Sequence, residues 1–349
     1  MPPQKQVANL GDIARALGVS VATVSNALSG KGRVSASLIP RVREMADRMG
    51  YVPSLAGRAL RTGRTGVLGL VLPDIANPLF PQIAQAIEFA ASSAGYGILI
   101  GDSRGDSSVQ TEAIHRLVER GVDGLVVVPR RGTRISESDC PVAVIDSPST
   151  PGNTVSADHW QGGALIGAHL AAFGHRRVLL LGNNPASAVQ NDRLAGMRDA
   201  LSGHAETETL WIEPLEAERG VGSVLGLADY AARGFTAIAA VSDLHALRAF
   251  TELHRAGFRV PEDVSVTGFD DFSWSGVITP ALTTVRADMQ RIAAIAVSSL
   301  VRVIEGRDDV DEDGLVVSTE AARVPMQLIA RQTSGPVRRA SPEDNDKTE

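Results

Sequence analysis

Residues 9–28, NLGDIARALGVSVATVSNAL, are the stretch that decides the amino-terminal fold. Ile13 and Leu17 lie at helical spacing, and Gly18 permits a tight turn before a second short helix. Ser20 is placed to cap that helix, because its hydroxyl can accept a backbone N–H two or three residues on. The outward residues of the second helix are small enough for its backbone to enter a DNA major groove. The stretch predicts a helix-turn-helix, with a generic helical hairpin as the alternative.

Charge is distributed unevenly along the chain. Residues 1–64 carry ten basic and three acidic side chains, whereas residues 65–349 carry 24 basic and 37 acidic ones. A uniformly acidic protein has no reason to divide in this way, whereas a polyanion-binding head on an acidic body does. The charge pattern therefore favours the DNA-binding interpretation over the generic hairpin.

The length and composition of the chain limit the classes of protein to which it can belong. The chain has 349 residues, of which 44% are hydrophobic and 21% charged, so it is long and apolar enough for two or three folded domains. Cys140 is the single cysteine, which excludes an internal disulfide and a cysteine-based zinc cluster. The first residues lack an apolar signal-peptide core, and no apolar run approaches the roughly 18 residues of a membrane span. We expect a cytoplasmic protein with no membrane partner, no cofactor and no metal.

From Val67 the pattern changes to apolar strands alternating with amphipathic helices, and the arrangement occurs twice. Such alternation is typical of parallel sheets with helices on both faces, and its doubling predicts two similar lobes. The expected fold class is a small all-α helix-turn-helix head and a hinge helix, followed by an α/β two-lobed body with doubly wound parallel sheets. The predicted domains are 7–52 for the head, 53–64 for a hinge helix or linker, 65–335 for the body and 336–349 for a disordered tail.

Polar residues follow the predicted strands, where ligands of such sheets bind. Carboxylates and small polar groups in these positions suit a polyhydroxylated ligand, although Asp and Asn there also cap the next helix. Because these residues are predicted to surround one cleft as a set, we expect them to bind a ligand. The strand-end residues are Asp74, Asn77, Phe80, Asp102, Ser103, Asp146, Ser242, Asp243, Asp270 and Asp271.

Several segments resemble the lactose-repressor (LacI/GalR) family of bacterial transcriptional regulators. DIARALGVSVATVSNAL is the most specific, and GYVPSLAGRALRTGRTGVLGLVLPDIANPLF, DRLAGMRDAL and PEDVSVTGFDD follow in the family's order. The resemblance covers about 7–335 and implies a body like a periplasmic sugar-binding protein, whose chain crosses between the lobes three times. On this basis lobe 1 spans about 65–158 and 288–317, and lobe 2 about 159–287 and 318–335.

The resemblance implies DNA contacts in the second helix and in the hinge. Asn can pair bidentately with adenine, aliphatic side chains can meet thymine methyls, and hydroxyls can donate to phosphates. The hinge leucine is implied to wedge into the minor groove at the operator centre and kink the duplex. The residues implied to bind DNA are Val21, Ala22, Thr23, Ser25, Asn26, Arg58, Leu60 and Arg61.

The resemblance also implies an effector site between the lobes. Arg193 offers donors in a fixed geometry and Asp270 an acceptor, a pair that can hold vicinal hydroxyls or a small acid. Trp274 has two interpretations, stacking on a sugar face or packing within its lobe. Ser242 stands where many family members have Asn, which shortens that contact. The implied effector-binding residues are Asp74, Asn77, Phe80, Asp146, Arg193, Ser242, Asp270 and Trp274.

We therefore expect a homodimeric repressor that binds near-palindromic operator DNA and is controlled by a sugar or polyol. A purine or another metabolite is the alternative effector. A sugar-binding protein without DNA activity would predict an export signal and no basic head, which is the opposite of what is found. An enzyme is not expected, because the sequence has no Gly-x-Ser-x-Gly elbow, P-loop, His-Glu-x-x-His or Cys/His metal spacing.

Overall fold

The computed structural model describes residues 8–29, 32–51, 63–135, 140–146, 152–312, 314–318 and 323–337. Contacts between residues divide the chain into two compact units, residues 1–66, called the head, and residues 67–349, called the body. Within the described residues, no helix is long and apolar enough to cross a membrane.

The head is a bundle of three short helices, as the sequence predicts. The first begins with a capping box, in which the side chains of Asn9 and Asp12 each accept a backbone N–H of the other residue. It ends at Gly18, whose φ of 66° is readily reached only by glycine. The helices are α1 (Leu10–Leu17), α2 (Val21–Ser29) and α3 (Leu38–Arg48). Their common core consists of Ile13, Ala14, Val24, Ala27, Val42 and Ala46.

Helix α3 begins at Leu38, slightly before the predicted start near Pro40. Pro40 therefore lies within the first turn, where backbone N–H groups have no partner inside the helix. The missing N–H of proline costs nothing there, and its ring meets no preceding turn. The predicted hinge, residues 53–64, lies outside the described residues except for Gly63 and Arg64.

The body alternates strands and helices, as its periodicity predicts. Its elements are β1 (Val67–Leu72), α4 (Leu79–Ser93), β2 (Gly97–Asp102), α5 (Ser107–Glu119), β3 (Gly124–Val127), β4 (Val142–Ile145), β5 (Asn153–Ala157), α6 (His159–Ala172), β6 (Arg177–Gly182), α7 (Ala188–Leu201), β7 (Glu206–Trp211), α8 (Ile212–Arg219), α9 (Leu227–Ala232), β8 (Ala237–Ala240), α10 (Asp243–Arg255), β9 (Ser265–Thr267), β10 (Thr284–Ala287), α11 (Met289–Ile304), β11 (Arg323–Val324) and β12 (Met326–Ile329).

Each lobe is built on a parallel sheet. Lobe 1 has the strand order β11-β5-β4-β3-β1-β2, and lobe 2 has the order β7-β6-β8-β9. The central strands β1, β3, β6 and β8 are almost wholly buried, which explains their continuous apolar sequences. Strands β10 and β12 form a separate antiparallel pair. All strands of one parallel sheet therefore present their carboxyl ends at the same edge, toward the junction of the lobes.

One predicted helix is divided in the structure. The sequence pattern predicts a single helix over Leu215–Arg233, but α8 ends at Arg219 and α9 begins only at Leu227. Gly220, Gly222 and Gly226 lie between them with positive φ. A helix needs negative φ at every residue, so this glycine-containing segment interrupts it. The prediction of one continuous helix was wrong.

The chain crosses between the lobes at three places that the structure describes. Asp158 separates β5 from α6, Asp288 separates β10 from α11, and Pro325 separates β11 from β12. Strand β11 pairs in parallel with β5, so lobe 1 includes residues beyond 317, where the sequence analysis placed its last boundary. At the end of the body, the N–H of Val337 donates to Phe173 O, inside the segment predicted as a disordered tail. Residues 338–349 lie outside the described residues.

Candidate functional site

Helix α2 of the head presents the residues predicted to read DNA. Its inner face is formed by Val24 and Ala27, which are fully buried in the head core. Val21 and Ala22 are exposed on the opposite side, and Val21 retains 49% of its surface. The exposed part of the helix is therefore small and apolar at its beginning, which suits contact with thymine methyls in a major groove.

The start of α2 is fixed by the predicted cap. Ser20 Oγ accepts the backbone N–H of Thr23 at 3.1 Å and lies 2.8 Å from Thr23 Oγ1. Thr23, Ser25 and Asn26 are half-buried along the flanks of the helix. Arg58, Leu60 and Arg61, the predicted hinge contacts, lie outside the described residues.

In the body, three predicted effector residues are joined by a fourth residue that the sequence analysis did not select. His159 Nε2 lies 2.7 Å from Asp146 Oδ1, and His159 Nδ1 accepts a hydrogen bond from Arg193 Nε at 3.2 Å. Arg193 Nη1 lies 2.9 Å from Asp270 Oδ1. All four side chains are nearly inaccessible to solvent. We call Asp146, His159, Arg193 and Asp270 the cleft network.

The orientation of the His159 ring follows from its neighbours. Arg193 Nε can only donate, so His159 Nδ1 accepts from it, and His159 Nε2 donates to the Asp146 carboxylate. Asp146 follows β4 of lobe 1, whereas His159 begins α6 of lobe 2. This hydrogen bond therefore connects the two lobes.

The acids of the cleft network have shifted pKa values. Burial pushes the pKa of Asp146 upward, but the imidazole of His159 and the guanidinium of Arg193 outweigh it and hold that pKa below its usual range. Burial raises the pKa of Asp270, although Arg193 opposes the shift. Arg193 also lies over the ring of Phe269, with its guanidinium carbon 4.0 Å from the ring centroid. Shifted acids around a buried cation are typical of ligand sites.

Backbone strain is concentrated in the same place. Asp146, Asp270 and Asp271 have φ values of 57°, 101° and 52°, in a region of backbone conformation that residues other than glycine rarely adopt. Each such residue costs on the order of 1–3 kcal/mol and persists only where its surroundings hold it. The N–H of Asp146 donates to Val155 O and that of Asp270 to Val285 O, which fixes both turns.

Asp243 is a buried anchor beneath the loop that carries Asp270. Its carboxylate accepts the N–H of Phe272 at 2.9 Å and the hydroxyls of Ser275 and Thr284, each at 2.5 Å. Burial raises the pKa of Asp243 to about 7. The three bonds pin the loop after β9, so this strand-end carboxylate positions the site and is not presented to a ligand.

Other predicted effector residues have local roles in this structure. Asp74 accepts the N–H of Ala76, Asn77 accepts that of Leu79 at the start of α4, and Ser242 accepts that of His245. These are the turn and capping roles that the sequence left open. Phe80 packs on the core of lobe 1, and Trp274 packs beside Phe272 on the core of lobe 2. The structure does not bring these five residues into the cleft network.

Two residues near the lobe junction were missed by sequence reasoning. His159 had one available signal, its place directly before a predicted helix. Trp211 ends β7, and its ring fills the space beside Gly182. Among the described residues, no group of three His, Cys, Asp or Glu side chains is arranged to hold a metal ion.

Comparisons with known proteins agree with both units. Residues 9–54 match the family model for bacterial regulatory proteins of the lacI family, and residues 168–334 match a periplasmic binding protein-like domain. The transcriptional regulator GalR of Escherichia coli is 31% identical over 314 residues, which cover 86% of this chain and 90% of GalR.

Two solved structures share the fold over most of the chain. The lac repressor dimer bound to operator and the anti-inducer ONPF matches with a TM-score of 0.75 and 24% identity, over 95% of this chain and 100% of that one. The transcriptional regulator CelR in complex with cellobiose matches with a TM-score of 0.64 and 25% identity, over 94% and 100% of the two chains. The chain therefore belongs to the lacI family of bacterial regulatory proteins and is a DNA-binding transcriptional regulator, not an enzyme.

Proposed function

We propose that this regulator is a homodimeric repressor whose affinity for a near-palindromic operator is controlled by a small sugar or polyol bound between its lobes. The family membership supports the regulatory role, and the lac repressor of the same fold is a dimer on its operator. Two-fold symmetry of the dimer requires matching symmetry in the DNA. Acting on DNA, the protein works in the cytoplasm.

The cleft network is the observation that carries the effector proposal. Asp146 and Asp270 offer carboxylate oxygens that accept hydroxyl hydrogens, and Arg193 offers N–H donors to hydroxyl oxygens. In the structure His159 joins Asp146 to Arg193, and Arg193 pairs directly with Asp270. A ligand with several hydroxyls can replace those hydrogen bonds with its own.

The position of the network explains how binding reaches the DNA. Asp146 belongs to lobe 1, whereas His159 and Arg193 belong to lobe 2, so a ligand that replaces the Asp146–His159 hydrogen bond changes how the lobes are held together. The ligand shifts the lobe arrangement only by its difference in affinity for the two arrangements, typically about 1–3 kcal/mol. We propose Asp74, Asn77, Phe80, Ser242 and Trp274 as further effector contacts once the lobes rearrange.

The DNA contacts belong to the same proposal. Val21, Ala22 and Asn26 meet base edges, and Thr23 and Ser25 lie near phosphates. Leu60 enters the minor groove between two hinge helices, with Arg58 and Arg61 on nearby phosphates. The exposure of Val21 and Ala22 on α2 supports the first part of this assignment.

Selection of bound duplexes from a random library tests the operator proposal. The full-length protein is expected to enrich a site with two related half-sites, one helical turn or more apart. Equal retention of all duplexes would contradict sequence-specific repression.

Thermal-shift measurements with D-ribose, D-glucose, cellobiose, sorbitol and hypoxanthine test the effector class. A sugar or polyol is expected to raise the melting temperature, and Arg193→Gln is expected to abolish that shift. A shift with hypoxanthine alone would replace the carbohydrate proposal by the purine alternative.

A further inference from the structure

A cavity lies beside the crossings between the lobes, and we call it the hinge pocket. Its volume is 670 Å³, within the range of small-molecule sites. Both lobes and the crossing segments line it, through residues that include Gln82 of α4, Asp271 after β9, Arg286 of β10 and Arg331. Of the eight predicted effector residues, it includes only Asp270.

Two cations in the hinge pocket share one carboxylate. Arg286 Nε lies 2.6 Å from Asp271 Oδ2, and Arg331 Nη2 lies 2.6 Å from Asp271 Oδ1. The Asp271 side chain is only 4% exposed, whereas Arg286 is 52% and Arg331 19% exposed. One negative charge against two positive ones leaves an excess positive charge on the open side of the pair.

The two guanidinium groups keep unused donors. Arg286 uses Nε and Nη2 on Asp271, and Arg331 uses Nη1 on Leu282 O and Nη2 on Asp271. Each guanidinium has five N–H groups in a planar fork. Within the described residues, Arg286 Nη1 and Arg331 Nε have no hydrogen-bond acceptor, so both cations can still donate into the pocket.

Three further charged residues line the hinge pocket, namely Asp270, Asp288 and Arg291. Asp270 pairs with Arg193 in the cleft network. Asp288 caps α11 by accepting the backbone N–H of Arg291. Gln82, Gln290 and Gln327 complete the polar lining with neutral amides that both donate and accept. Among the described residues, Arg286 and Arg331 form ion pairs only with Asp271.

The loop after β9 separates this pocket from the cleft network. Asp270 and Asp271 are consecutive, and their φ values of 101° and 52° send the two carboxylates to different cations. Asp270 meets Arg193, whereas Asp271 meets Arg286 and Arg331. The two sites thus use different cations, meet at Asp270 and share a strained piece of backbone.

We propose that the hinge pocket is a second ligand site, which binds a small metabolite through an oxyanion held by Arg286 and Arg331. Guanidinium forks bind carboxylates and phosphates with paired, charge-assisted hydrogen bonds. The glutamine amides bind hydroxyl or carbonyl groups of the same ligand. Because the ligand touches both lobes and their crossings, its binding is coupled to the lobe arrangement that the cleft network holds. This site is additional to the proposed sugar site.

Isothermal titration of the full-length protein with inorganic phosphate and with succinate, at constant ionic strength, tests the proposal. Arg286→Gln removes one of the two cations and is expected to weaken binding about tenfold or more. Asp271→Asn removes the competing carboxylate and is expected to strengthen binding severalfold. The matched control is Arg302→Gln, which is expected to leave binding unchanged. Arg302 is similarly exposed, but it lies outside the pocket and pairs with Asp308 at 2.6 Å.

Comparison of the phosphate and succinate titrations distinguishes a phosphate ester from a carboxylate as the group that the natural ligand presents. Arg286→Gln is expected to keep the thermal shift with the sugar, so failure of the sugar proposal and failure of this one are separable. Absence of saturable binding of both anions to the unmutated protein would overturn the proposal. So would an equal loss in the Arg286 and Arg302 variants, or weaker binding by Asp271→Asn. Circular dichroism establishes that each variant is folded, and Arg286→Lys, which keeps the charge but loses the fork, is expected to bind with intermediate affinity.

Discussion

His159 Nδ1 accepts a hydrogen bond from Arg193 Nε at 3.2 Å, while the other ring nitrogen of His159 reaches Asp146 at 2.7 Å. One imidazole thereby sets the orientation of the cation at the centre of the cleft and ties lobe 1 to lobe 2. Neither of these two partners is close to His159 in the sequence. Its role depends on residues from two other elements.

Replacing His159 by Leu is expected to destabilise the body. The Asp146 carboxylate would remain buried without this donor, and a buried charged acceptor left without its donor costs about 3 kcal/mol or more. Equilibrium urea unfolding measures the loss. His115→Leu, at an exposed histidine, is the control and is expected to change stability by less than about 0.5 kcal/mol. Equal effects of the two substitutions would show that the cleft network contributes nothing.

The stability of the body is expected to fall below pH 6.5 because of His175. Burial lowers the pKa of His175 to about 4, and the ring contacts Thr236 Oγ1 and Gly335 O. The unfolded chain, with an ordinary histidine pKa near 6.5, binds a proton that the folded chain refuses between pH 6.5 and 4. Stability is therefore complete above pH 6.5 and declines as pH falls to 4, by about 3 kcal/mol for this group.

Unfolding of His175→Asn at pH 7 and at pH 4.5 isolates this contribution. The variant is expected to be less stable at pH 7 but to lose less stability on acidification. His245, whose pKa burial also lowers to about 4, and His169, whose pKa burial lowers, remain in the variant and retain part of the slope. An unchanged difference between the two pH values would refute the assignment to His175.

Asp243→Ala is expected to cost more stability than Asp243→Asn. The alanine leaves the N–H of Phe272 and the hydroxyls of Ser275 and Thr284 without their acceptor, at about 1–3 kcal/mol for each buried donor left unpaired. Asparagine keeps one carbonyl oxygen, and a hydroxyl can rotate to accept from its amide. Chemical denaturation of both variants makes the comparison, and equal losses would argue against the anchoring role.

Asn26→Ala and Ser25→Ala are expected to affect DNA binding in different ways. Loss of a base contact by Asn26 should reduce discrimination between the selected operator and a mismatched one by about 1–3 kcal/mol. Loss of a phosphate contact by Ser25 should weaken binding to both duplexes alike. Fluorescence anisotropy with the two duplexes measures the difference. The same pattern in both variants would contradict the assignment of α2 as the reading helix.

Leu60→Gly tests the hinge, which the family resemblance alone supports. Without the wedge, the duplex is not kinked and the two heads cannot engage together, so specific binding is expected to weaken while non-specific binding persists. An operator affinity equal to that of the unmutated protein would remove the hinge from the mechanism.

The sequence by itself determined the structure that depends on near neighbours. The capping box of Asn9 and Asp12, the turn at Gly18 and the strands with a continuous apolar run could be predicted, because caps and hydrophobic runs depend on only a few neighbouring residues. The division between α8 and α9 could also have been predicted from the sequence, because three closely spaced glycines lie between them. Strand β7 could not be predicted in this way, because it lies at a sheet edge and its sequence ETETLW is mostly polar, without a continuous apolar run.

Only the tertiary structure decided how the strand-end residues combine. Asp146 and Arg193 lie 13 and 34 residues from His159 in the chain, and they meet because the chain crosses between two sheets at Asp158. Likewise Asp271 meets Arg331 across 60 residues. Local periodicity places each side chain at the end of a strand, but the direction of a carboxylate depends on backbone angles and on cations supplied by distant segments. That is why the acids were predicted as one set, and why the structure divides them between a cleft network, a buried anchor and a second pocket.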